Sequence, residues 1–185
     1  MAALSRLVIA VVAAVPTTAL SAGSDLVPLK AAQHTPFALD ALSGSRAALD
    51  DYRGGTVILH FFAVWCEPCR AELAALERLS ARMAQNSVTI VAVDVGEVDD
   101  RVQRFFASQP VSFAVTLDRD RAVAKSWNVD VLPTTFVLDR ALVPRFIAIG
   151  DCNWDKPEVA QILEMLDHTP LPAKSTALDA PIPEN

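Results

Sequence analysis

Residues 56–62 read Thr-Val-Ile-Leu-His-Phe-Phe, a β-branched and aromatic run with one polar interruption after its first residue, His60. A run of that kind suits a central strand covered on both faces. Four residues later Cys66 and Cys69 open a segment with a different period. Leu73, Leu76, Leu79 and Met83 recur at spacings of three and four, and Arg70, Glu77, Arg78 and Arg82 occupy the opposite face. That pattern predicts an amphipathic helix over 67–84. A buried strand ending in a Cys-Glu-Pro-Cys turn and running straight into a helix commits the chain to an α/β arrangement.

The flanking segments extend this reading. Residues 37–42 alternate apolar and polar, meet Ser43-Gly44-Ser45, and return through 47–49, which predicts an N-terminal β-hairpin. Strands are expected at 87–95 and 113–117, with helices at 98–108 and 118–127, Asp118 capping the second. Two β-runs at 134–138 and 143–149 are separated by only four residues, so they should pair as an antiparallel hairpin. A last helix is expected at 157–166, with Pro157 in its first turn. The result is a mixed central sheet flanked by helices.

The chain has 185 residues, 52% hydrophobic and 21% charged, enough to bury a single core. Its net charge is −6 and its basic residues are scattered singly, which excludes the basic stripe of a nucleic-acid binder. Residues 1–22 have the layout of an export signal: Arg6, nine apolar residues at 7–15, then Pro16 and small residues around Ser21 and Ala22. The apolar run is about half of the roughly 20 residues that a membrane span needs. Cleavage is therefore expected, with an uncleaved N-terminal membrane anchor as the alternative. The expected organisation is signal 1–22, linker 23–35, one domain over 36–168, and a Pro-rich disordered tail over 169–185.

Three cysteines, Cys66, Cys69 and Cys152, are too few for a disulfide-stapled secreted scaffold. Cys66 and Cys69 stand one helical turn apart, close enough for a small disulfide ring. Cys66 falls at the helix start, where unpaired N–H groups favour the thiolate, the reactive form. Pro68 suits a first turn because its missing N–H has no intrahelical partner. Half of a zinc site and a permanent structural disulfide are the competing readings. The first lacks a second Cys/His pair, and the second closes too short a loop to restrain an unfolded chain. Cys152 reads as a half-buried, inert thiol between a strand and a helix, with a regulatory or intermolecular disulfide as the alternative.

Trp65-Cys66-Glu67-Pro68-Cys69 followed by Arg70-Ala71-Glu72, Leu132-Pro133-Thr134-Thr135-Phe136, and Gly150-Asp151-Cys152-Asn153-Trp154 together resemble the thioredoxin-like proteins. Within them the chain is most similar to the exported TlpA/ResA group. The resemblance implies a thioredoxin-like fold and a periplasmic or otherwise extracytoplasmic protein-disulfide reductase. Cys66 would attack a partner's disulfide and Cys69 would resolve the mixed disulfide. Pro133, after Leu132, would be the family's cis-proline, lying against the disulfide, with Trp65, Glu67 and Pro68 flanking the site. The implied partners are exported protein thiols and a membrane thiol electron donor, with roles in cytochrome c maturation or the reduction of metal-site cysteines. No cofactor is implied beyond the redox-active disulfide itself.

Glu72 matches a glutamate of that group and lies one turn from Cys69. It is either a proton relay to that thiol or a solvated surface glutamate. Glu67 should be exposed, its charge opposing thiolate formation on Cys66. His60 stands where thioredoxins carry a buried aspartate, either as acceptor of the Cys69 proton or as a core histidine bonded to a backbone carbonyl. Other chemistries on the same fold fit less well. A peroxiredoxin-type peroxidase needs a Thr three residues before its cysteine, where this chain has Ala63. A copper carrier of Sco type uses a wider cysteine spacing. A non-catalytic metal-binding or interaction module is the broader alternative.

Overall fold

A computed structural model describes residues 26–30 and 35–171. The expected export signal at 1–22 and all of the tail beyond residue 171 lie outside the described residues.

The elements run β1 (Val27–Pro28), β2 (Ala38–Ala41), β3 (Arg46–Ala48), a 3-10 turn (Leu49–Tyr52), β4 (Thr56–Phe62), α1 (Glu67–Arg82), β5 (Val88–Val95), α2 (Asp99–Ser108), β6 (Ala114–Asp118), α3 (Ala122–Ser126), β7 (Thr134–Leu138), β8 (Pro144–Ile149) and α4 (Pro157–His168). They build one eight-stranded sheet in the order β1-β8-β7-β4-β5-β6-β2-β3. β4, β5 and β6 are parallel, joined by crossovers through α1 and α2, whereas β7 returns antiparallel to β4. This is the mixed, helix-flanked sheet the sequence predicts, with the N-terminal hairpin β2–β3 extending one edge.

Every residue of β4 is buried, because both faces of the sheet are covered. Leu59 and Phe61 pack with Trp127 and Phe136 on one face. On the other, Ile58 meets Leu76, Leu79 and Leu163, while Phe62 meets Leu73, Val102 and Phe106. Each such side chain contributes roughly 1.5–3 kcal/mol by leaving water. The C-terminal ends of β4 and β5 open at the same edge, and the functional loops collect there.

Three local expectations change. The expected linker contains β1, which pairs Val27 with Ile147 and Pro28 with Phe146. Two residues carry no periodic signal, and a proline is tolerated there because β1 is an edge strand. Leu49 leaves the strand for the 3-10 turn, where it is fully buried. Asp118 ends β6 rather than capping a helix directly. Its carboxylate nevertheless accepts the N–H groups of Val123 and Ala124, so it caps the short α3 from a distance.

Candidate active site

β4 delivers the chain through Ala63, Val64 and Trp65 to Cys66, the N-cap of α1. Its backbone is extended there (φ −82°, ψ 111°), and its Sγ accepts the Cys69 N–H at 3.3 Å. Pro68 occupies the first turn without disturbing a backbone bond. Cys66 and Cys69 form a disulfide with Cα atoms 5.3 Å apart. The pair is asymmetric: Cys66 keeps 5% of its surface exposed and Cys69 none. Of the two cysteines only Cys66 has exposed surface, and its sulfur sits where helix N–H groups stabilise an anion.

The surroundings divide into a surface and an interior. Trp65 is 61% exposed beside the disulfide. Glu67 is exposed as expected and pairs with Arg70, which offsets the charge it holds near Cys66. The Leu132–Pro133 peptide is cis. Pro133 accepts the Gly150 N–H at 2.8 Å, and Thr134 Oγ1 donates to the Val131 carbonyl at 2.7 Å. Leu132 packs against the cluster containing both cysteines, joining this loop to the site.

Glu72 is only 3% exposed, so it is no surface glutamate. Burial pushes its carboxyl up to about 7, against the opposing pull of hydrogen bonds from the Trp154 indole and the Cys152 backbone. Trp154 Nε1 donates to Oε1, while Oε2 has no partner among the described residues. Cys152 is buried, with 9% of its surface exposed, rather than half-buried, in the cluster with Trp154 and Leu163.

His60 is wholly enclosed, its ring stacked on Phe62 with centroids 5.9 Å apart. Its Nδ1 lies 2.9 Å from Thr135 Oγ1, the cross-strand neighbour in register, so the expected backbone-carbonyl partner is replaced by a hydroxyl. Nε2 is without a partner among the described residues. Desolvation alone holds the imidazole down to about 3, which keeps it neutral.

Two further carboxyls escape sequence reasoning. Glu97, in the loop after β5, is buried and accepts the Val64 N–H of the loop before Cys66. Asp94, at the end of β5, is 1% exposed, and its carboxyl is pushed well up by burial and by Glu97 beside it. The only signal for either was an acidic residue inside an apolar strand, Val93-Asp94-Val95. Among the described residues no group of three His, Cys, Asp or Glu is arranged to hold a metal ion, and no helix is long and apolar enough to cross a membrane.

The AhpC/TSA family matches residues 31–145. The thiol-disulfide oxidoreductase ResA of Bacillus subtilis is 40% identical over 103 residues, 56% of this chain and 58% of that protein. The ResA of Geobacillus thermodenitrificans is 34% identical over 130 residues, 70% of this chain and 74% of that protein. The chain thus spans 58% and 60% of the length of two of the curated ResA relatives it matches, those of B. subtilis and Geobacillus kaustophilus. A solved structure described as the thiol:disulfide interchange protein DsbE of Chlorobium tepidum superposes with a TM-score of 0.69 at 28% identity, covering 76% of this chain and 99% of that one. With its mixed sheet and its Cys-Glu-Pro-Cys turn at the start of α1, the chain belongs to the thioredoxin-like AhpC/TSA family and has ResA-type proteins among its relatives.

Proposed function

We propose that the chain is a thiol–disulfide oxidoreductase that works as a reductase of disulfides in exported proteins. One observation carries the reading: a slightly exposed cysteine at a helix N-cap is joined by a disulfide to a fully buried cysteine one turn along. In the reduced protein the Cys66 thiolate attacks a substrate disulfide. One substrate sulfur leaves as a thiolate and takes up a proton, and the other is held in a mixed disulfide with Cys66. Cys69 gives up its proton and attacks Cys66, which releases the second substrate thiol and leaves the enzyme oxidised. Two electrons pass from the enzyme dithiol to the substrate. A membrane thiol donor restores them, and no further cofactor takes part.

Glu72 is the proton acceptor in this scheme. It lies one turn beyond Cys69, and its raised pKa of about 7 suits proton transfer near neutrality. Pro133 and Leu132 hold the substrate strand against the disulfide, with Trp65 on the other side. His60, kept neutral, serves the core. Export to the periplasm is part of the proposal, with c-type cytochrome or metal-site cysteines as substrates. Ala63 supplies no hydroxyl to a peroxide, which favours disulfide over peroxide chemistry.

Insulin reduction tests the reading. The wild type should turn over, Cys66→Ser should be inactive, and Cys69→Ser should accumulate a mixed disulfide. A wild type that binds substrates without turnover would make it an interaction module. The potential of the Cys66–Cys69 couple fixes direction: about −270 mV marks a reductase and about −120 mV an oxidase.

A further inference from the structure

This inference rests on the redox-active reading of the disulfide and concerns what its substrate carries. Beside Trp65 a cleft of about 370 Å³ opens, with Ala124 and Leu132 as apolar lining and Arg121, Lys125 and Asp130 also bordering it. Trp65 precedes Cys66 and Leu132 precedes Pro133, so the cleft is continuous with both halves of the site.

The two cations have an unusual standing on this chain. Arg46, Arg78, Arg119 and Arg145, like most of the described arginines, pair with carboxylates. The side chains of Arg121 and Lys125 make no hydrogen bond or ion pair among the described residues, and both residues are exposed. They are four residues apart at and within α3, which puts them on one face.

Arg121 also has an enforced backbone geometry. It holds a left-handed backbone (φ 62°), and its side chain lies over Gly96, where any Cβ would collide with it. A non-glycine residue keeps that conformation only where its surroundings enforce it. Asp130 is the one acidic side chain bordering the cleft, which leaves a net positive cleft on a protein of net charge −6.

We propose that this cleft is a substrate subsite that receives an Asp or Glu side chain flanking the reacting cysteine of an extended protein substrate. The Trp65 ring and Leu132 cover the apolar part of that residue and its neighbour, and Arg121 and Lys125 take the carboxylate. Charge complementarity of this kind acts chiefly on encounter and on the choice of partner.

The test uses the reduced protein and disulfide peptides identical except for Glu, Gln or Lys beside the cysteine. Second-order rate constants should fall in the order Glu, Gln, Lys, by about two- to fivefold per step, as expected for exposed charge pairs. Raising the ionic strength should compress the series. The Arg121→Gln/Lys125→Glu double variant should level or invert it. Lys125→Glu alone, at an exposed position, gives the same reading in reduced degree should the double variant misfold. Equal rates for the Glu and Lys peptides, or a preference that neither variant moves, overturns the subsite. Reduction of the uncharged hydroxyethyl disulfide separates the two claims: without it the redox reading itself fails, and with it a flat peptide series sinks the subsite alone.

Discussion

The indole Nε1 of Trp154 donates a hydrogen bond to Oε1 of Glu72, joining the loop before α4 to the buried face of α1 one turn beyond Cys69. The bond leaves Oε2 without a partner among the described residues and holds down a carboxyl that burial drives up. A carboxyl raised to about 7 changes protonation state near neutrality. It can therefore accept a thiol's proton and return it.

Glu72→Gln removes the proposed proton acceptor and keeps the shape. The mixed disulfide should then resolve more slowly by about 100-fold or more, with attack by Cys66 less affected. Single-turnover kinetics against pH provide the check. The wild type should show an inflection near 7 in the resolving step, and the variant should lack it.

Trp154→Phe separates the hydrogen bond from the packing. The Trp154 donor lowers the Glu72 pKa, so its loss should move that inflection upward. Trp154→Ala also empties a fully buried site, at about 3–5 kcal/mol. If the inflection stays put in Trp154→Phe, another group carries it.

Much of this arrangement was legible in the sequence, for reasons that differ by residue. The nearly unbroken apolar run of β4 and the three-four spacing of α1 are long signals set by two-sided and one-sided burial. They located Cys66 and Cys69 at a strand–helix junction. Glu72 could be placed on its helix, but its environment could not, because the residues enclosing it come from 80 positions downstream, at Cys152 and Trp154. Glu97 and the Val64 N–H it accepts are likewise joined only by the register of β4 and β5. β1 was invisible because two residues have no period, and Arg121 because a left-handed arginine has no local signature.

His60 makes a different prediction. Its folded pKa lies far below the ordinary histidine value, so the unfolded chain takes up a proton that the folded one refuses. Stability should be full above about 6.5 and should fall as pH drops toward 3. The imidazole resonances should not titrate between pH 5 and 8, the range of an exposed histidine. Thr135→Val strips Nδ1 of its partner and should cost about 1–3 kcal/mol in urea unfolding.

Asp94 acts at the opposite end of the pH scale. Its carboxyl is pushed up by burial and by Glu97, so the folded protein holds this proton more tightly than the unfolded chain. The stabilisation is complete below the ordinary aspartate pKa and is lost as pH rises toward the raised value. Once ionised, Asp94 places a second negative charge against Glu97, which holds the Val64 N–H two residues before Cys66. Asp94→Asn keeps a neutral amide there at every pH, and its NH₂ can donate to Glu97. The variant should gain stability relative to the wild type as pH rises from 5, with the difference in urea titrations growing until it levels off above about 8. A constant difference across that range would mean that Asp94 does not titrate there, and the pairing of the two carboxyls would need another explanation.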